Sequence, residues 1–190
     1  MKRKDFLYSI SALLGVGANL DFDTNIKPEM LYFEDDGVTP NSHLPLLRYK
    51  DAFTARGLEG ASWLEQKYYS NNWGNSWRNG IFDFQHYHSI AHEVLGIYSG
   101  EANVLLGGDD GEIVKVTAGD IIVIPAGVGH KNLGSENLGV VGAYPGGMQV
   151  DIVRATPEQR PRVDQNIEKV LIPLQDPLHG DSDGLLDIWK

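Results

Sequence analysis

The chain of 190 residues contains no cysteine, which excludes disulfides, zinc–thiolate sites and thiol nucleophiles. Any metal ion it holds must sit on nitrogen and oxygen. Positive charge is scarce: 16 Lys and Arg stand against 26 Asp and Glu, a formal charge of −10, which argues against non-specific binding to nucleic acid or anionic lipid. No apolar run is long enough to span a bilayer, the longest candidate being Phe6 to Ala18. Histidine is sparse too. Of six in the chain, three fall with a glutamate inside eight residues of "RNGIFDFQHYHSIAHEVLGIYSG", residues 78–100.

The first residues read apart from the rest. Lys2, Arg3 and Lys4 precede the apolar run, and Val16 and Ala18 give a small-residue cleavage pattern, so residues 1–20 read as an export signal or a disordered leader. Arg3-Lys4-Asp5-Phe6-Leu7 resembles a twin-arginine signal with Lys4 in place of the second arginine. The alternative is a short amphipathic helix capping the domain. The product is expected to be periplasmic or exported if the leader is cleaved, and cytoplasmic otherwise.

Residues 29–190 suit one domain with a real core. "FEDDGVTPNSHLPLL" reads as a turn feeding a strand near Leu46–Tyr49, and "GASWLEQKYYSNNW" as a short helix. From Ile81 to about Val153 short strands follow one another: "IFDFQHYH", "HEVLGIYS", "EANVLLGG", a "DDGE" hairpin turn, "IVKVTAGD", "DIIVIPAGVGH", "LGVVGAYPGG" and "MQVDIV". Such a run without long helices between the strands indicates an antiparallel sandwich or barrel. Thr156, Pro157 and Gln159 open a helix expected over Thr156 to Val170, and the tail reads as an ordered loop closing on Trp189.

Strand alternation puts Phe82, Phe84, His86 and His88 on one face. The phenylalanines make that face the interior, so both imidazoles are expected to point inward and grip one ion. Glu93 begins the next strand within reach of the same point. His130, directly after Pro125 and two glycines, is placed opposite the His86/His88 pair. Three imidazoles and a carboxylate suit a divalent first-row ion (Fe, Mn, Ni, Cu or Zn) and suit Mg or Ca poorly. The competing readings are that His86 and His88 are ordinary buried histidines, and that His92 displaces Glu93. Parity places His92 on the opposite face, outside the site or behind the ligands. His43 and His179, in Pro/Gly-rich turns, read as exposed loop residues.

These residues carry a resemblance. Gly80-x5-His86-x-His88-x4-Glu93-x6-Gly100 reproduces the first cupin motif, and Gly119-x5-Pro125-x-Gly127-x2-His130 the second. The second motif's usual final asparagine is missing, since that position is Gly134. "LYFEDDGVTPNSHLPLLRY", "HYHSIAHEVLG", "PAGVGHKNL" and "VVGAYPGG" resemble the small bacterial single-domain cupins called YjlB-like. The resemblance implies an all-β, double-sheet jelly-roll barrel over about residues 46–153 with short flanking helices. It also implies a metal near the barrel's centre on His86, His88, Glu93 and His130.

That ligand set would leave an octahedral ion one or two open positions. Phe82, Phe84, Leu95 and Ile97 would line a partly apolar pocket, and Glu93 could double as a base. The expected function is action on a small organic molecule, first as a dioxygenase-like oxidoreductase, then as an isomerase or decarboxylase. The alternatives are a cupin that binds a small ligand or metal without turnover, and a metal-free structural barrel. Expected partners are a small-molecule ligand and a second copy of the chain, paired through an edge strand near Leu31–Phe33; neither nucleic acid nor a membrane span is expected.

Overall fold

In the computed structural model, which describes residues 22 and 24–190, the elements follow in chain order. They are β1 (Glu29–Phe33), β2 (Ser42–Tyr49), α1 (Gly57–Ser70), β3 (Trp73–Asn79), β4 (His86–Tyr87), β5 (Glu93–Leu106), β6 (Glu112–Thr117), β7 (Ile121–Ile124), β8 (His130–Pro145), β9 (Val153–Arg154), α2 (Arg162–Ile167) and α3 (Leu185–Ile188). The leader reading lies outside the described residues. No helix among them is long and apolar enough to cross a membrane.

The strands form one curled antiparallel sheet of nine, ordered β1-β2-β7-β5-β8-β4-β9, with β3 joined to β8 and β6 to β5. This corrects the expectation of two sheets closed into a jelly roll. The reason lies in the two longest strands. "HEVLGIYS" and "EANVLLGG" merge into β5, which bends at Gly100 (φ 66°) without ending. A Cβ there would lie 2.1 Å from the Glu136 carbonyl oxygen, so a larger residue has no room for the bend. β5 pairs with β7 along its first half, with β6 along its second, and with β8 throughout, so the hydrogen-bond ladder never separates into two sheets.

Alternation along these strands feeds two cores, one on each face. Leu46, Leu95, Ile97, Ile122, Ile124 and Val140 fill the inside of the curl. Their neighbours Leu47, Val94, Ile121, Val123, Val141 and Ala143 face outward. α1 covers that outer face with Gly60, Ala61, Leu64 and Tyr68, one stripe at helical spacing. Leu64 and Tyr68 press onto Gly96 of β5. The C-terminal tail adds Leu178, Leu185 and Trp189, whose indole N–H donates to the Pro45 carbonyl at 2.9 Å.

Several expected elements differ. β3, unread in "WGNSWRN", pairs with β8, and an irregularity between Gly74 and Trp77 shifts its register. Trp73 and Trp77 would share a face in a regular strand. The shift sends Trp73 to the outer core and Trp77 to the inner one. "IFDFQHYH" forms regular strand at His86–Tyr87 alone. Ahead of it the Phe82 carbonyl accepts from Asn132 N–H, and the Phe82 and Phe84 rings stack at 4.8 Å instead of alternating. "MQVDIV" contributes no more than Val153–Arg154. The helix over Thr156–Val170 is broken into a short 3₁₀ turn, Pro157–Gln159, and α2, because Pro161 cannot donate within a continuous helix and Thr156 makes no capping bond. α2 packs Val163 against Tyr87 and Val153, bracing β4 and β9. His43 sits exposed on β2. His179 is half-buried against Phe22 and Tyr49, not a free loop residue.

Candidate metal centre

His86 and His130 are register partners on β4 and β8, and their rings lie 4.0 Å apart between centroids. His88 follows one residue beyond β4, where its carbonyl accepts from Gly127 N–H at 2.9 Å. Glu93 opens β5 on the inner face. All four side chains are 2–5 % exposed. Burying that much polarity is costly unless it is compensated.

Each imidazole is fixed by its Nδ1. His86 Nδ1 bonds the Phe84 carbonyl at 3.1 Å, His130 Nδ1 the Val128 carbonyl at 3.2 Å, and His88 Nδ1 the Asp151 carbonyl. A carbonyl can only accept, so every Nδ1 carries its proton and, in the neutral rings, every Nε2 presents a lone pair. The three histidines offer ring nitrogens within 4.8 Å of one another. Glu93 Oε2 stands 3.3 Å from His88 Nε2 and 3.2 Å from His130 Nε2. Donor atoms at about 2.1 Å on neighbouring octahedral positions lie roughly 3 Å apart. His88 Nε2 and Glu93 Oε2 are buried and lack a hydrogen-bond partner. An ion between them would satisfy both, so the donor set fits a divalent first-row metal.

The surroundings bias protonation differently across the set. Burial, then the neighbouring His130, push His86 down to about 3, keeping it neutral. Burial opposes charge on His88 too, but the facing Glu93 and the Asp151 carbonyl outweigh it and raise its pKa. Burial works against the Glu93 anion, yet His88 and His130 hold the carboxyl well below its usual range.

Behind His88 lies a support that spacing alone does not reveal. The Asp151 side chain accepts from Ser89 N–H at 2.8 Å and from Ser89 Oγ at 2.5 Å, while Asn166 of α2 donates to the same Oγ at 3.0 Å. This clamp presents the Asp151 carbonyl to the ring. His92 faces the other way. It is buried, its Nδ1 accepts from Ala126 N–H at 3.0 Å, and its ring packs on Trp189. It is therefore neither a ligand nor exposed.

The four clustered side chains form the floor of a cavity of about 260 Å³, whose walls include Trp77, Ile81, Phe82, Leu95, Tyr144 and Ile152. Of the four side chains expected to line it, Phe82 and Leu95 do so. Phe84 lies behind Phe82, beneath the Arg154 guanidinium, and Ile97 is sealed in the inner core. The sequence reading missed Trp77 and Tyr144. The signal for Tyr144 was present: in "LGVVGAYPGG", parity from Val140 through Gly142 carries it to the inner face. Trp77 Nε1–H donates to the Tyr144 hydroxyl oxygen at 2.8 Å, and the Tyr144 ring meets His88 edge-on at 5.7 Å. Burial and the Glu93 charge raise the Tyr144 pKa.

No protein-family model matches the chain. The chain is similar to the uncharacterized protein YjlB of Bacillus subtilis (strain 168), at 40% identity over 165 residues, 86% of this chain and 97% of that one. Among solved structures it is similar to an oxalate decarboxylase of Bacillus subtilis, at 19% identity over 60% of this chain and 28% of that one, with a TM-score of 0.35. It is also similar to a duf861 family protein from Thermotoga maritima, at 24% identity over 38% of this chain and 75% of that one, with a TM-score of 0.27. The chain thus spans less than a third of the decarboxylase. A curled antiparallel sheet, a buried trio of histidines at its inner face and a relative matched over nearly its whole length lead to one assignment: the chain is a cupin-fold protein of the family of Bacillus subtilis YjlB.

Proposed function

We propose that the protein holds one divalent first-row transition ion on His86, His88, Glu93 and His130 and acts there on a small organic molecule, first as a dioxygenase-like oxidoreductase, with isomerase or decarboxylase chemistry behind. The observation that carries this reading is the tautomer lock: three backbone carbonyls take the Nδ1 protons, so each Nε2 is left to ligate, and those of His88 and His130 stand against Glu93 Oε2. When bound there, the ion supplies Lewis acidity and, for a redox metal, access to dioxygen. The chain's own residues do the rest. His86, His88 and His130 donate neutral nitrogen, Glu93 brings the negative charge, and Trp77, Phe82, Leu95 and Ile152 give the cavity apolar walls.

The walls narrow the ligand. Arg78 lines the cavity, but Glu65 answers its charge with two short bonds of 2.8 and 2.6 Å. Trp77 N–H is spent on Tyr144, and Gly80 N–H on the Asn79 side chain at 2.9 Å. A ligand therefore finds its polar anchor at the floor and apolar or aromatic surface above it. At about 260 Å³ the space lies below the usual range for a drug-sized molecule. A small chelating head with an apolar body, such as a diol, a ketoacid or a compact phenol, suits this shape.

The spent wall groups also favour a second reading, a cupin that holds such a ligand without converting it. Elemental analysis of protein purified without added metal, followed by anaerobic and aerobic incubation with diols, ketoacids and flavonols, separates the two. Metal-dependent oxygen uptake or product supports the enzyme; unchanged ligand bound one per chain supports the binder. Absence of metal at any loading would end both. The proposal extends to a homodimer paired through the edge strand β1, which exposes Met30 and Tyr32. Light scattering on the purified chain gives the mass that decides it.

A further inference from the structure

Arg48, Arg56, Arg78, Arg160 and Arg162 each engage their guanidinium with a protein acceptor. Arg154 does not. It is exposed on β9, and its guanidinium makes no hydrogen bond or ion pair among the described residues. Its one recorded contact is with an aromatic face, the guanidinium carbon lying 3.8 Å from the centre of the Phe84 ring.

The sheet aims this side chain toward the candidate metal centre. Arg154 is the register partner of His86 across the β4–β9 ladder, and directly paired residues project to the same face of a sheet. The neighbouring pair, Tyr87 and Val153, turns the other way and packs under Val163 of α2. Ile152, two residues before Arg154, lines the cavity, and alternation returns Arg154 to that face. Phe82 and Ile152 line the cavity yet are 42 % and 53 % exposed, so they form its rim. Both lead to the guanidinium, Ile152 along the chain and Phe82 through its 4.8 Å stack with Phe84.

We infer that Arg154 is a specificity residue of the site, taking a carboxylate at the outer end of a ligand whose chelating head sits on the ion. The inference rests on the metal reading above and deepens it by naming the ligand class: a carboxylic acid with a separate chelating head and a short apolar spacer. Cation–π attraction to Phe84 orders the long side chain and leaves its N–H donors free. Those donors match the two oxygens of a carboxylate. One guanidinium balances one negative charge, which suits a carboxylate better than a phosphate dianion. The chain as a whole carries −10, so an unpaired cation beside the rim gives the mouth a local sign opposite to that of the molecule. The apolar rim between the floor and Arg154 matches the spacer.

The test compares matched ligands that differ in the outer group alone. On cobalt(II)-loaded protein, protocatechuate is set against its methyl analogue, and α-ketoglutarate against α-ketovalerate, with binding followed anaerobically by the cobalt absorption spectrum. Arg154→Met keeps an unbranched side chain for the Phe84 face, and Arg154→Lys keeps the charge without the fork. Wild type is expected to prefer the carboxylate-bearing member of at least one pair by about tenfold. Arg154→Met should lose that preference while binding the methyl-ended member as before, and Arg154→Lys should keep part of it. No preference in either pair for wild type would overturn the inference, and so would an undiminished preference in Arg154→Met. Equal weakening of both members in Arg154→Met would assign the residue to packing and overturn it as well. If wild type takes up no cobalt, the metal reading falls and the inference falls with it. Cobalt uptake and ligand binding without preference leave the metal reading standing and remove the role of Arg154 alone.

Discussion

His86 and His130, 44 positions apart in the chain, face each other across the β4–β8 ladder with ring centroids 4.0 Å apart. A strand pair brings them together; no local turn does. Because the fold assembles the donors, an ion that binds only the folded state stabilises the whole sheet. At a free-metal concentration about a thousandfold above Kd the gain is about 4 kcal/mol, which for a chain of this size raises Tm on the order of 10 °C. Scanning calorimetry of metal-loaded and chelator-treated protein should show that difference. His130→Ala should show none, since its two scans would coincide.

The Asp151 clamp acts on His88 from outside the ligand set. Its carboxylate is tied to Ser89, and its carbonyl takes the His88 Nδ1 proton. Asp151→Ala should free that carbonyl, let the ring turn, and weaken metal affinity by about 10- to 100-fold while leaving all four donors present. Competition against a chromophoric chelator measures this. Wild-type affinity in Asp151→Ala would show that the loop is merely adjacent.

Much of the centre was readable because side chains on neighbouring strands obey parity. His86, His88 and Glu93 sit at spacings that a strand and its turn translate directly into one face. His130 follows a proline and two glycines that end a strand. The supports were not readable in the same way. Asp151 lies in a loop whose contact with His88 is set by α2 and β9, far from either motif in sequence. Trp77 reaches the cavity because the register shift in β3 reverses its parity, and a period of two cannot express that. The same limit explains why the single strand β5 was expected as two strands. Gly100 looks like a turn in the sequence, yet the ladder continues through it.

Gly142 gives a test of how Trp77 is held. Its absent side chain makes room for the indole, so Gly142→Ala should overpack the inner face, costing about 1–3 kcal/mol. The cost should depend on Trp77. In a double-mutant cycle with Trp77→Phe, whose ring is smaller, the alanine should cost visibly less, giving a coupling of at least about 0.5 kcal/mol. Chemical denaturation of the four proteins supplies the numbers. Strict additivity would mean that the close approach is relieved elsewhere.

His92 gives the chain an acid sensitivity separate from the metal. Burial, only partly opposed by the Leu171 backbone, pushes its pKa down to about 4. Its Nδ1 accepts from Ala126 N–H, so a proton there would have to displace a backbone hydrogen bond. In the unfolded chain the ring titrates near 6.5. The unfolded state therefore takes up a proton between about 6.5 and 4 that the folded state refuses. Stability is full above that window and falls as pH drops through it, by an amount of the order of 3 kcal/mol. His92→Asn keeps an acceptor toward Ala126 and cannot titrate. Urea melts of metal-loaded protein at several pH values should show wild type losing more stability than the variant between pH 6.5 and 4. Parallel curves for the two proteins would mean that the acid loss belongs to other groups.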